Sequence, residues 1–240
     1  MRTRYAIILG AGEGSRLKPL TENIPKCMVE VCGRSILRNA LSLFAEKGVE
    51  TTRIVVGHLA SVLREHFGSS FKAMKIEYIE NVEYSSTNSM YSLYLGLQGI
   101  QESTWLLEGD VFFEPSILEK PVKHDISWFV DTFRKDLDGA YLKYDDQGRA
   151  VSLDIIRDLK LLKNQSGKSI GLLHLDSNGV EYFKRWLEQG VADGRKNLYY
   201  DLIVGPHFSE AYIEIIDVGG LKWFEIDNLS DLENAQVLFS

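Results

Sequence analysis

Short apolar runs alternate with amphipathic segments through the first hundred residues. Tyr5 to Leu9 reads as a strand, Ile36 to Lys47 places Leu37, Ala40, Leu41 and Phe44 at helical spacing, and Thr52 to Val56 is again strand-like. Ser61 to Phe67 is helical in pattern, and Lys75 to Ile79 returns to a strand. This βαβαβ order predicts a mostly parallel sheet with helices on both faces, a class in which ligands collect at the carboxyl ends of the strands. Met90 to Gln98 continues as a helix, and Thr104 to Leu107 is a strand running into Glu108-Gly109-Asp110. The second half is richer in strands: Ile126 to Thr132, Gly139 to Tyr144, Ala150 to Ile156 and Ser169 to Leu175. Tyr212 to Ile216, Trp223 to Asp227 and a last helix from Leu229 to Val237 close the pattern, with Asn228 or Ser230 as its N-cap. No linker rich in Pro, Ser or Gly interrupts it, so one domain over residues 1–240 is expected.

The place where the first strand breaks carries the clearest chemistry. Ile7 to Met28 contains Gly10, Gly12 and Gly14, with Arg16 and Lys26 close behind. Three glycines in five positions let the backbone from Leu9 through Gly10, Ala11, Gly12, Glu13 and Gly14 to Ser15 turn sharply and bring N–H groups against phosphate oxygens. Ser15 to Leu20 can start a helix whose N-terminal end also favours anions. Arg16 and Lys26 add two positive charges, as holding a triphosphate under attack requires. No Gly-Lys-Ser/Thr closes a Walker loop, and Ser15 stands where a dinucleotide fingerprint needs its third glycine.

Composition narrows the class. A chain of 240 residues with 45% hydrophobic and 25% charged content can bury a large core. A net charge of −7 without a basic run argues against nucleic acid as a partner. No apolar stretch nears the ~20 residues of a membrane span, and the N-terminus reads as a first strand and not a leader, so a cytoplasmic enzyme is expected. Cys27 and Cys32, the only cysteines, read as reduced and core or near-core. Asp110 and Asp227 each end an apolar strand, where a carboxylate can hold Mg²⁺ against phosphate oxygens, or simply cap a loop.

The string L-G-A-G-x-G-S-R-L-x-P-L-T followed by Pro25-Lys26 resembles the signature of nucleotidyltransferases that make nucleoside-diphosphate sugars and alcohols. That resemblance implies an α/β, Rossmann-like (GT-A-like) fold with a small β-rich acceptor-side region. It also implies metal binding by the Gly109-Asp110 pair and by Asp227 of Glu225-Ile-Asp227, with Glu225 either supporting the metal ligands or facing solvent. The Gly-Leu/Thr-Ala and Glu-Lys-Pro segments typical of the hexose 1-phosphate enzymes are missing. Instead, Tyr84 to Leu95, with Asn88, Ser89 and Ser92, is similar to the N-x-x-S-L segment of bacterial choline-phosphate cytidylyltransferases. Asn88 and Ser89 can pair with a pyrimidine edge or cap the next helix. Ile155 to Lys160, Ser169 to Gly171 and Tyr199-Tyr200-Asp201 extend the resemblance over almost the whole chain.

The chain departs from that family after Phe133-Arg134. Asp138-Gly139-Ala140 stands where the tryptophan of a choline cage is expected. Tyr199, Tyr200, Trp128 and Trp223 could still offer aromatic faces, while Asp131, Asp138, Asp201 and Arg134 are candidates to meet the primary amine or hydroxyl of a phosphonate acceptor. The implied reaction transfers CMP from CTP to phosphocholine, 2-aminoethylphosphonate or hydroxyethylphosphonate. In it Arg16 and the glycine loop hold the β- and γ-phosphates, Lys26 the α-phosphate, and Lys160 the acceptor. A sugar-1-phosphate uridylyl- or thymidylyltransferase and a non-catalytic nucleotide sensor stay open, an oxidoreductase ranks last, and a homo-oligomer is compatible with all of them.

Overall fold

The computed structural model describes residues 3–162 and 165–240. In chain order the elements begin with β1 (Tyr5–Gly10), β2 (Glu30–Val31), β3 (Arg34–Ser35), α1 (Ile36–Lys47), β4 (Thr51–Val56), α2 (Ala60–Phe67), β5 (Ser70–Phe71) and β6 (Met74–Glu80). They continue with α3 (Ser89–Leu97), β7 (Thr104–Glu108), β8 (Val111–Phe113), β9 (Ile126–Asp131), β10 (Gly139–Tyr144), β11 (Ala150–Ile156) and β12 (Ser166–Leu175). The last elements are α4 (Ser177–Ala192), α5 (Tyr200–Val204), β13 (Ile213–Asp217), β14 (Trp223–Glu225) and α6 (Leu229–Phe239).

Strands β6, β4, β1 and β7 run parallel, as the alternation of strands and helices predicts. Successive residues of each strand serve opposite faces. Ala6 and Ile8 join the core beneath α1 and α2, whereas Ile7 joins the core beneath α3, α4 and α5; Ile54 and Val56 part from Val55 in the same way. Beyond β7 the sheet turns antiparallel: β12 pairs with β7, β9 and β10, and β11 closes that edge. This is the β-rich side of the molecule, and β12, long enough to touch three strands, joins it to the parallel half. No helix among the described residues is long and apolar enough to cross a membrane.

Two helices lie outside the predicted elements. In α4, Val180, Phe183, Trp186 and Leu187 form a buried i, i+3, i+4 stripe, and the Asp176 carboxylate caps its N-terminus by accepting from the Gly179 N–H. The short α5 follows it and carries Tyr200 and Asp201 into the interior. Conversely, Ser15 to Leu20 forms only a single 3₁₀ turn over Ser15–Leu17. Lys18 precedes a proline, whose ring disfavours a helical residue before it, and it takes the extended ψ of 142° that ends the turn. Cys27 is buried, and burial pushes its thiol up to about 12. Cys32 is exposed, against the expectation of a core position, because it sits with φ 49° in the tight turn joining β2 to β3. The last helix starts at Asn228, whose side chain accepts from the Asp231 N–H while Asp231 accepts in return.

His174 on β12 is buried against the Trp105 ring and shares a 2.8 Å hydrogen bond with the Thr3 hydroxyl. Burial opposes its charged form and lowers its pKa to about 4. Acidification from pH 6.5 towards 4 therefore protonates the unfolded chain first. His174 thus contributes stability that is complete above pH 6.5 and lost as pH falls, by up to about 3 kcal/mol. Urea titrations across that window should show the wild type losing stability relative to His174→Phe as pH falls; parallel curves would show that His174 does not titrate there.

Candidate active site

The glycine loop forms one wall of a cleft of about 650 Å³ at the carboxyl ends of β1 and β7. All seven loop residues predicted to meet a nucleotide, Leu9 to Ser15, line it. Gly14 holds the left-handed φ of 64°, and a Cβ there would lie 2.9 Å from Lys26 Cβ, so only glycine lets Lys26 pass beside the loop. Around Gly12 nothing stands within 4 Å of a Cβ position, which leaves the space over the loop amides to a ligand. Thr21 ties the turn by donating its hydroxyl to the Gly14 carbonyl at 2.8 Å.

Lys26 projects from a one-turn 3₁₀ helix after Pro25 and reaches the opposite wall. Its Nζ donates to Asp110 Oδ2 at 2.7 Å and to Asp227 Oδ1 at 2.6 Å, and Arg16 Nη2 meets the same Asp227 oxygen at 2.8 Å. Burial opposes the ammonium, yet the two carboxylates hold Lys26 above the usual lysine range. Burial likewise works against Asp227, but Lys26 and Arg16 keep its carboxyl below the usual range.

Residues 117 apart in sequence meet here through backbone pairing. Strands β8 and β14 pair antiparallel with Val111 opposite Glu225, and the Ile226 N–H donates to the Asp110 carbonyl at 3.0 Å. Asp110 Oδ1 is buried without a hydrogen-bond partner among the described residues, and oxygens of Glu108, Asp110 and Glu225 lie within 4.8 Å of one another. An orphaned carboxylate oxygen in such a cluster, with two carboxylates already converging on one ammonium, fits a cation. Burial first, then the nearby Asp201, Asp110 and Glu225, raises the Glu108 pKa well above the carboxylate range, while Tyr200 donates to it at 2.8 Å.

On the side expected to read the base, Asn81 organises the loop before α3. It is buried, donates to Thr87 Oγ1 at 3.0 Å and Ser92 Oγ at 3.1 Å, and accepts from the Glu83 N–H. Asn88 and Ser89 both line the cleft; Asn88 is the N-cap of α3, and Ser89 Oγ accepts from the Tyr200 N–H. Capping and cleft exposure thus coincide at Asn88.

The acceptor side differs from expectation in its basic residues. Lys160 is exposed on a 3₁₀ turn outside the cleft, with its own N–H bound to the Asp158 carboxylate that caps the turn. Arg134 also lies outside the cleft lining, chelated by Asp136 at 2.8 and 2.9 Å and stacked over Phe224. The basic groups that do line this side are Arg157, paired with Asp138 at 2.7 Å, and the buried Lys168, paired with Glu225 at 2.9 Å. Glu225 therefore faces inward. Lys168 carries a sequence signal of its own, a charge shortly before the apolar residues Ile170 to Leu173, but nothing local tells whether such a charge starts a strand or sits inside it. Gly139 makes room for it: a Cβ there would lie 2.9 Å from Lys168 Nζ. Tyr199, Asp201 and Gly109 line the cleft, whereas Trp128, Tyr200 and Trp223 are buried beneath it.

Residues 5–129, which hold the loop, Lys26 and Asp110, match the Nucleotidyl transferase family. The chain belongs to that family. It is 32% identical over 98% of its length to the CMP-5'-(3-aminopropyl)phosphonate synthase of Streptomyces rubellomurinus, of which it spans 38%. It is 28% identical to the choline-phosphate cytidylyltransferase of Streptococcus pneumoniae, covering 96% of each chain. Its fold matches the solved CTP:phosphocholine cytidylyltransferase of that organism with a TM-score of 0.79 at 24% identity, over 99% of this chain and all of the other.

Proposed function

We propose that this nucleotidyl transferase moves CMP from CTP to a small phosphate or phosphonate monoester and releases pyrophosphate. The observation that carries the reading is Lys26, bridging Asp110 and Asp227 within the same cleft as the glycine loop and Asn88. The cytidylyltransferases among its relatives support CTP and acceptors of the phosphocholine and aminoalkylphosphonate kind.

In this reading the loop amides and Arg16 hold the β- and γ-phosphates. Lys26 places its charge at the α-phosphate, where it builds up as the acceptor oxygen attacks in line. The acceptor is already anionic near neutral pH, so no protein nucleophile is needed. Asn88 and Ser89 face the cytosine, and Arg157 and Lys168, not Lys160 or Arg134, attract the acceptor's anionic end. Asp110 and Asp227, with Glu225 and Glu108 beside them, would hold Mg²⁺, which supplies charge neutralisation for the phosphate oxygens.

Pyrophosphate release tests this across CTP, UTP, dTTP and ATP, each with phosphocholine, 2-aminoethylphosphonate, hydroxyethylphosphonate and glucose 1-phosphate. Turnover is expected with CTP and at least one of the first three acceptors, to stop with a chelator, and to return with Mg²⁺. Turnover with glucose 1-phosphate and UTP or dTTP would instead assign the sugar reaction. CTP binding with no turnover on any acceptor would assign a sensor.

A further inference from the structure

Asp201 enters the interior on α5, at 7% exposure, and lines the cleft. Its Oδ1 is buried with no hydrogen-bond donor among the described residues, which is costly for a carboxylate unless a ligand supplies the donor. Glu108 and Glu225 share this floor, and the buried Lys168, which lines the cleft beside them, is already bound to Glu225. Aromatic faces are scarce. Of the rings that the described residues bring to the cleft, Tyr84 packs against Gly57 on the nucleotide side and Tyr199 lies near Asp201, while Asp138-Gly139-Ala140 contributes none.

We propose that this site selects acceptors bearing an N–H ammonium, a primary aminoalkyl phosphonate or phosphate, and that Asp201 is the residue that receives it. The inference rests on the acceptor reading above and narrows it. A primary ammonium gives the orphaned oxygen a charge-assisted hydrogen bond and brings a cation to a floor of three carboxyl groups. A trimethylammonium has no N–H to give and wants an aromatic cage that this wall lacks. A hydroxyl supplies a donor without the charge.

The test compares kcat/KM for pyrophosphate release from CTP with phosphoethanolamine against phosphocholine, which differ only in three N-methyl groups. A second pair is 2-aminoethylphosphonate against hydroxyethylphosphonate. All are measured for the wild type and for the isosteric Asp201→Asn, with calorimetric binding of each acceptor alongside. The wild type is expected to favour the N–H member of each pair by about tenfold or more. In Asp201→Asn that preference should shrink by a similar factor. The wild-type comparison stands even if the variant fails to fold. Equal or better use of phosphocholine, or a preference unchanged in a folded Asp201→Asn, overturns the inference. Binding of the amines that depends on Asp201 without any turnover would uphold it while removing the transferase reading. No binding of any acceptor removes both.

Discussion

Replacing Lys26 with alanine is expected to lower turnover by about 10²-fold to 10³-fold, the usual cost of removing one preorganised charge from a site where negative charge develops. The reason lies in the geometry. Lys26 is 16% exposed and makes two short ion pairs, so its position is set before any ligand arrives and costs nothing to organise during reaction. Its loss also leaves Asp110 and Asp227 facing each other without their shared cation. Arginine should restore little, because a planar fork replaces a point charge in a slot between two carboxylates. Steady-state rates at saturating CTP, with the fold checked by circular dichroism, decide the matter. A folded Lys26→Ala enzyme that works at near-normal rate would remove Lys26 from the chemistry.

Gly109→Ala should be as damaging by a different route. A Cβ at this position would lie 2.4 Å from the Leu9 carbonyl oxygen and 3.1 Å from Gly10 Cα, and both are backbone atoms of the central strand. Neither can swing aside as a side chain would. The Gly109 N–H also donates to that Leu9 oxygen at 3.0 Å, so relieving the clash breaks a buried hydrogen bond. A cost of about 3 kcal/mol, near the upper end for overpacking, corresponds to a melting temperature lower by roughly 10 °C. Turnover should fall with it, since Gly109 separates Glu108 from Asp110 and any shift moves both carboxylates. Gly12→Ala is the matched control: with open space around its Cβ, it should melt within about 2 °C of the wild type. Equal melting temperatures for the two variants would refute the account of Gly109 as a packing requirement.

The parallel half of the sheet was legible because each strand has to serve two buried faces, and that demand writes continuous apolar runs such as Ala6 to Leu9 and Ile54 to Val56. The glycine loop was legible because backbone curvature next to a phosphate has few other solutions. Helix α4, with an equally regular stripe, lies outside the predicted elements; Gly179 and Gly190 interrupt its pattern, yet both positions are occupied by close neighbours, the Asp125 carbonyl and the Met90 side chain. Glycine weakens a helical pattern in sequence, and at these two positions it is a packing requirement.

For the site, sequence determined the parts that one segment can carry: the loop from Leu9 to Ser15, Arg16 and Lys26 behind it, and aspartates at the ends of two strands. Tertiary structure decided how the parts combine. It turned Glu225 inward to Lys168, sent Arg134 to Asp136 and Lys160 to the surface, and left Asp201 buried without a donor among the described residues. Those outcomes depend on pairing between strands far apart in the chain, Val111 with Glu225 and Leu172 with Leu107, and a charged residue carries no local mark of which partner such pairing will bring to it.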